Sequence, residues 1–582
     1  MPPLMRIRLW YASVVLIMSV FGVRLFYLEI IRYDYYRKAA QASQLKQYLI
    51  PAERGLIEAH DGDSVVPVVL NQTLYTLFAD PKYIKHPEDL SEDVQKIIGG
   101  KASDYEKLMK TQTRYAVLAR KITPAQKKQI ESLHAHGLGT QAVSYRTYPQ
   151  STLASQLLGF VNDEGSGEYG VEQALEPQLK GKPGQLKAVT DVNGVPLAAT
   201  KDNVQTPAVA GNDIVLTIRL GMQAQLEKIL KQQFDKTKSK GLSAVIMDPS
   251  SGKIMAMANY PSYDPTHYAK VKDQALFQNG AVSNGIEPGS SMKILTTAAA
   301  LDQGVITPST SFYDPSRWVV DDFTITDIEE DGGARNQTIE STLNLSLNTG
   351  ATWMLMQMGG GEINSKARNA WYDYMTNHFL LGKPTGIEQG YEADGYVPLP
   401  KNNGAGINLT YANTSFGQAV TITALQLAGA TSSVLNGGTY YQPTLVDQTI
   451  AADGKVTANA PKILKRNVVS KEVSRGLVPL LEFVVKDHLR AGFNYLNFNS
   501  AYSVGGKTGT AQIAKPTGGY YEDKFNGIYV GFVGGNKVEY VIAVYNMQPG
   551  VPGYAGSYGG QPVFADIAHM LIDNGHVTPK TN

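Results

Sequence analysis

Three short strings, set in one order along the chain, constrain this sequence more than anything else in it: Ser290-Ser291-Met292-Lys293, Ser346-Leu347-Asn348 and Lys507-Thr508-Gly509-Thr510. They read as S-x-x-K, S-x-N and K-T-G, the parts of a serine acyl-transfer site that works without histidine. The chain therefore has to fold so that three widely separated segments meet.

S-x-x-K occurs three times, and context selects among the copies. Ser250 with Lys253 lies in Asp248-Pro249-Ser250-Ser251-Gly252 between two apolar runs, which predicts a hairpin tip, and a turn does not hold serine and lysine on one face. Ser43 with Lys46 falls in a polar, Gln-rich stretch with no apolar wall beside it. Ser290 is different. Glu287-Pro288-Gly289 punctuates the chain, Lys293 to Leu301 is apolar and Ala-rich, and Gly304 follows as a C-terminal cap. This predicts a buried helix with Ser290 in its first turn. The i,i+3 spacing puts the Ser290 hydroxyl and the Lys293 amine on one face, where the helix start offers N–H groups to an oxyanion. A serine hydroxyl is a poor nucleophile until a base takes its proton, and lysine serves only where burial and nearby positive charge lower its pKa. Lys293 is the candidate base.

Ser346-Leu347-Asn348 alone reads equally well as a polar loop or a helix start. Lys507-Thr508-Gly509-Thr510 is preceded by Val504-Gly505-Gly506 and followed by two strand-like runs, Gly527 to Val533 and Tyr540 to Met547. That pattern predicts an antiparallel sheet with Lys507 on a strand beside the serine helix.

Together these residues resemble the class B penicillin-binding proteins, membrane-anchored D,D-transpeptidases that cross-link peptidoglycan. Arg54-Gly55-Leu56-Ile57 is similar to the R-G-x-I string that opens the family's non-catalytic domain, and Tyr148-Pro149, Leu158-Gly159 and Gly167-Glu168-Tyr169-Gly170-Val171-Glu172 are similar to its later landmarks. Leu216-Thr217-Ile218, Met247-Asp248-Pro249 and Pro261-Ser262-Tyr263-Asp264-Pro265 resemble the start of the transpeptidase domain, and Gly417-Gln418, Asn436-Gly437-Gly438 and Gln561-Pro562-Val563-Phe564 its second half. Some positions depart from the pattern: Arg219 stands where an aspartate is common, Glu58-Ala59-His60 where an acid and a base often follow, and Leu347 where serine is frequent. None removes a reacting group.

The resemblance implies an α+β multidomain protein: a cytoplasmic tail (1–8), one transmembrane helix (9–31), an N-terminal α+β pedestal (40–205), a penicillin-binding/β-lactamase-like transpeptidase domain with an antiparallel sheet flanked by helices (212–575), and a tail (576–582). It assigns catalysis to Ser290, Lys293, Ser346, Asn348 and Lys507, substrate binding to Thr508, Gly509 and Thr510, and the oxyanion hole to the N–H groups of Ser290 and Thr510. The resemblance further implies that Ser290 attacks the penultimate D-Ala carbonyl of a stem peptide and that an amine from a second stem peptide resolves the acyl-enzyme. Implied partners are peptidoglycan stem peptides, β-lactam antibiotics, a SEDS-type glycan polymerase and other divisome membrane proteins. The implied location is the cell membrane, single-pass, with the catalytic domain outside. Within the family, Gly506-Lys507-Thr508-Gly509-Thr510-Ala511-Gln512 looks more like the septal than the elongation type.

Composition fits this frame. Net charge of +1 gives no nucleic-acid footprint, and the absence of cysteine excludes disulfides and thiolate metal sites. His134 and His136 form the one tight histidine pair, without nearby acidic partners, so no metal or other cofactor is expected. The apolar run Leu9 to Val23 is short for a span of about 20 residues, and Leu25 to Ile31 completes it past Arg24. Ala40-Gln41-Ala42 resembles a cleavage site but lies behind Arg32, Asp34, Arg37 and Lys38, so an uncleaved anchor is expected. Other readings stay open: an elongation-type transpeptidase, a β-lactam-hydrolysing or sensing relative, for which the sequence offers no identifiable base to activate water, and a non-catalytic division scaffold.

Overall fold

The computed structural model describes residues 3–36, 45–189, 204–327, 333–401 and 406–581; Ser43 lies outside them. The chain divides into two compact units, residues 1–55 with 180–211, and residues 56–179 with 212–582.

The first unit begins with the helix Pro3–Phe26, extended by a single π turn at Tyr27–Ile31. Between Arg8 and Arg24 its sequence carries no charge on any face, so no face is reserved for a protein core. The continuous segment Pro3–Ile31 is long and apolar enough to cross a membrane. Arg24 sits with its guanidinium 5.5 Å from the Tyr27 ring, and Arg32 Nε donates to the Tyr27 hydroxyl at 2.9 Å. The unit also holds a three-stranded antiparallel sheet of Leu45–Ile50, Gly184–Val189 and Val204–Thr206.

The second unit is built on two sheets. The catalytic sheet is antiparallel throughout, in the order Ile254–Tyr260, Gly241–Met247, Val538–Met547, Tyr520–Gly534, Ser503–Ala514. Its inner strands are near-continuous apolar runs because helices cover both faces. Ala244, Ile246, Ile542 and Val544 pack against the helices Leu220–Thr237 and Gln561–Asp573. The alternating residues Val245, Met247 and Ala543 share the other core with the helices Lys293–Asp302, Ala424–Leu435 and Lys471–Arg490. Burial on that face fixes where Lys293 points. Ser250 lies in the turn between the first two strands, its hydroxyl 2.7 Å from Asp248 Oδ1.

The second sheet runs Val456–Ala458, Val446–Ile450, Asp213–Arg219, Ile57–Asp61, Ser64–Ala79, Ala116–Ile122, with Leu138–Thr147 also pairing Ser64–Ala79. Asp213–Arg219 and Ile57–Asp61 pair in parallel, and two of the departures noted above, Arg219 and His60, are register partners there. His60 Nε2 lies 3.0 Å from Asp447 Oδ2, and Lys253 Nζ 2.6 Å from Oδ1. Burial pushes the Asp447 carboxyl up, but the hydrogen bonds from Lys253 and His60 outweigh it and hold the group below its ordinary value. The far end of this sheet carries its own small core of Leu77, Val94, Leu118, Ile122 and Ile130. The exposed His134 and His136 lie at that end.

Candidate active site

Ser290 does not sit in the first turn of an α-helix, as its sequence context suggests, but in a 3₁₀ turn, Gly289–Met292, that runs into the helix Lys293–Asp302. Close packing at Gly289 requires a residue without a side chain. This residue has φ +54, donates its N–H to the Gly417 carbonyl at 3.0 Å, and a β-carbon there would stand 2.7 Å from the Thr510 carbonyl oxygen. With three residues per turn, positions i and i+3 eclipse, and Ser290 lies directly over Lys293.

Lys293 is fully buried and has four oxygens around its amine. Nζ is 3.0 Å from Ser290 Oγ, 2.9 Å from Asn348 Oδ1 and 3.3 Å from Ser346 Oγ, and it donates to the Ser346 carbonyl. Ser346 presents both of its oxygens because its backbone is left-handed, φ +60, a conformation that costs a non-glycine residue about 1–2 kcal/mol. Leu347, the atypical middle residue of S-x-N, is buried. Asn348 then opens the helix Asn348–Gly359, which directs its carboxamide at Lys293.

The K-T-G string lies on Ser503–Ala514, the edge strand of the catalytic sheet, packed against the serine turn. Gly509 makes that approach possible, since a β-carbon there would fall 2.4 Å from the Pro288 carbonyl oxygen. Lys507 is fully buried, with Nζ 3.3 Å from the Thr508 carbonyl and 3.2 Å from Thr508 Oγ1. Thr510 Oγ1 accepts the N–H of Gly556 at 2.9 Å.

Several neighbours escaped the sequence reading. Glu287 Oε1 accepts from the Ala419 N–H at 2.9 Å and from the Tyr520 hydroxyl at 2.8 Å, and burial pushes its carboxyl up. His488 accepts the Gln561 amide on Nδ1 at 2.9 Å, and burial together with the charge of Lys507 lowers its pKa to about 4. Asp327 accepts the backbone N–H groups of Asn348 and Thr349. Gln561 was visible as a landmark, but nothing in the sequence linked it to His488. Asp327 lies in the polar stretch Asp327-Ile328-Glu329-Glu330-Asp331, which carries no spacing signal.

A buried lysine shared by two serines and an asparagine, under the edge strand of a helix-covered antiparallel sheet, defines a serine acyltransferase of the penicillin-recognising class. The family model described as "Penicillin binding protein transpeptidase domain" matches residues 242–569, and that described as "Penicillin-binding Protein dimerisation domain" matches residues 49–216. The chain belongs to the penicillin-binding proteins, and to their class B. It is 29% identical over 576 residues to stage V sporulation protein D of Bacillus subtilis, covering 98% of this chain and 85% of the relative. It is 24% identical over 581 residues to peptidoglycan D,D-transpeptidase FtsI of Escherichia coli, covering 99% and 92%. Among solved structures, penicillin-binding protein 2X of Streptococcus thermophilus shares the fold with a TM-score of 0.71 at 22% identity, covering 91% of this chain and 80% of that one. Penicillin-binding protein 3 of Mycobacterium tuberculosis, complexed with aztreonam, has a TM-score of 0.68 at 23% identity, covering 92% and 98%.

Proposed function

We propose that this chain is a peptidoglycan D,D-transpeptidase of septal wall synthesis, anchored by its N-terminal helix with the catalytic unit outside the membrane, and that β-lactams inactivate it by acylating Ser290. The observation that carries this reading is the oxygen set around Lys293. A neutral lysine amine has two N–H bonds and one lone pair. In the neutral form that a base requires, N–H bonds directed at the Ser346 carbonyl and Asn348 Oδ1 would turn the lone pair toward the Ser290 hydroxyl 3.0 Å away.

In acylation the Ser290 proton passes to Lys293 as Oγ bonds to the penultimate D-Ala carbonyl carbon. The oxyanion is held by the N–H groups of Ser290 and Thr510. Ser346 Oγ, 3.3 Å from Lys293 Nζ, relays the proton to the leaving D-Ala nitrogen as the peptide bond breaks. Lys507 supplies positive field, and Thr508 and Thr510 bind the terminal carboxylate beside Gly509. An amine of a second stem peptide then attacks the ester, Lys293 takes its proton, and Ser290 leaves with the hydroxyl restored. Each turnover forms one cross-link and releases one D-Ala.

The septal assignment is supported by the string Gly506 to Gln512 and by the FtsI relative. The anchor, with Arg24 among apolar residues, fits a polytopic partner of the SEDS-type glycan polymerase kind and the divisome around it, because a charge at that depth faces protein or water in preference to lipid. Mass spectrometry of a tryptic digest after benzylpenicillin treatment tests the reading. The adduct is expected on Ser290, and an adduct on Ser291 or Ser250, or none, overturns it. A fluorescent fusion at midcell is expected, and side-wall localisation would assign the chain to elongation.

A further inference from the structure

The Asn348 helix starts against the hairpin of Arg317–Val320 and Phe323–Thr326. Two hydrogen bonds join them directly, and the residue after the hairpin adds more. The Asn348 carboxamide donates Nδ2 to the Thr326 carbonyl at 3.3 Å, and the Trp318 indole donates Nε1 to the Thr349 carbonyl at 3.1 Å. Asp327, immediately after the hairpin, accepts the Asn348 N–H on Oδ1 at 2.5 Å and the Thr349 N–H on the same oxygen at 3.1 Å. No side chain inside the helix caps this end, because the N-cap position is the buried apolar Leu347. The cap is supplied by a residue distant in sequence, to helix N–H groups that favour an acceptor and a negative charge.

Behind that contact lies a second carboxyl. Asp314, on the strand Ser311–Asp314, is 2% exposed and has Oδ2 2.6 Å from Thr349 Oγ1, whose hydroxyl also touches Asp327 Oδ2. One hydroxyl carries one hydrogen, so satisfying both contacts requires a hydrogen on one of the carboxyl groups. Burial pushes the Asp314 carboxyl up, with the Asp327 charge adding to it, while Thr349, Ser316 and Arg335, its register partner across the strand pair, oppose the shift. Asp314 is thus the group suited to hold that hydrogen.

We infer that Asp327 is a positioning residue for acylation: it fixes the backbone of Asn348, so that the Asn348 carboxamide meets Lys293 Nζ at 2.9 Å and turns the amine lone pair toward Ser290. This rests on the transpeptidase reading above, in which Lys293 is the base. The same hairpin provides an internal control. Asp321 at its tip accepts the N–H groups of Asn408 at 2.7 Å and Leu409 at 3.1 Å, a second cap from a distance, on the helix Ile407–Ser415.

The test is stopped-flow acylation of the full-length protein in detergent by a fluorescent penicillin, with concentration dependence separating non-covalent binding from the acylation step. Asp327→Ala is expected to slow the acylation step by about 10 to 100-fold, the cost of a misplaced catalytic group, while binding stays within threefold. Asp327→Asn keeps an Oδ1 acceptor for both N–H groups and is expected to restore the rate to within about threefold. Asp321→Ala is expected to lower the melting temperature as much as Asp327→Ala does, with acylation unchanged. Should the alanine variant not fold, Asp327→Ser carries the test, with about a 10-fold loss expected. An acylation step within threefold of the parent in Asp327→Ala, or equal losses in the Asp327 and Asp321 variants, overturns the inference. Labelling that survives Ser290→Ala would instead overturn the transpeptidase reading beneath it.

Discussion

Acidification provides a direct probe of the layer behind Lys507. His488 titrates near 4 where an ordinary imidazole titrates near 6.5, because it is buried and faces the Lys507 charge. Its Nδ1 accepts from Gln561, and a hydrogen bond to the backbone of Asn344 helps to hold the ring, so a proton added at Nδ1 would displace the Gln561 amide and set a second cation beside Lys507. A histidine depressed in the folded state contributes stability that is fully present above the unfolded pKa and disappears as the pH falls through the folded one. The window is therefore from about 6.5 down to about 4, where the unfolded chain binds the additional proton. At about 1.36 kcal/mol for each tenfold change in affinity, the loss comes to roughly 3 kcal/mol. Buried carboxyls such as Glu287, Glu227 and Asp314 are shifted up and act in the opposite sense, gaining stability toward low pH. A single melting curve would mix these effects. His488→Gln, which keeps an amide against Gln561 and does not titrate, removes only one of them. Melting temperatures of the two proteins in detergent between pH 7 and pH 4 should diverge, the wild type falling by several degrees relative to the variant, with the divergence confined to that window. Parallel pH profiles would refute the claim that the fold holds His488 neutral.

Three further outcomes follow from the site. Lys293→Arg keeps a cation but no base, since guanidinium stays protonated in proteins; acylation by penicillin should fall by about 10² or more, and near-normal labelling would mean that another group takes the Ser290 proton. Gly509→Ala places a methyl 2.4 Å from the Pro288 carbonyl, so the edge strand must separate from the serine turn; at least a 10-fold slower acylation is expected on the scale of small misplacements of reacting groups, read by fluorescent-penicillin kinetics, and an unchanged rate would show that the strand yields without disturbing Ser290. Arg24→Leu should leave acylation untouched while weakening co-purification with the glycan polymerase, and undiminished recovery would reduce the anchor to a tether.

The sequence was most legible where a regular element carried its own period. The apolar run after Ser290 foretold the helix Lys293–Asp302, and the runs around Val530 and Val544 foretold paired strands, because burial on both faces leaves few polar residues to confuse the pattern. The juxtaposition of Ser290, Lys293, Ser346 and Asn348 was legible only from the order of three strings, and it appears in the structure as four contacts on one amine. What the sequence concealed was backbone geometry and distant support. The close approach of Gly417 and Thr510 to Gly289 beside Ser290, and the left-handed backbone of Ser346, arise from segments distant in the chain and not from a local residue preference. Asp327, Glu287 and His488 act through partners distant in the chain, so neither spacing nor local propensity could expose them.

The sheet that runs from Val446–Ile450 through Asp213–Arg219 and Ile57–Asp61 to Ser64–Ala79 crosses from the transpeptidase segment into the segment before it, with a register shift at each of the three pairings. Thr217 fastens it to the catalytic sheet, donating its hydroxyl to the Ile254 carbonyl at 2.6 Å. Mechanically this is a beam rather than a joint. A load on Ser64–Ala79 is passed from strand to strand through main-chain hydrogen bonds to Ile57–Asp61 and Asp213–Arg219, and through Thr217 to Ile254 of the catalytic sheet. Both segments belong to one compact unit, so a force on the distal end is handed to the catalytic sheet through paired strands instead of through a linker.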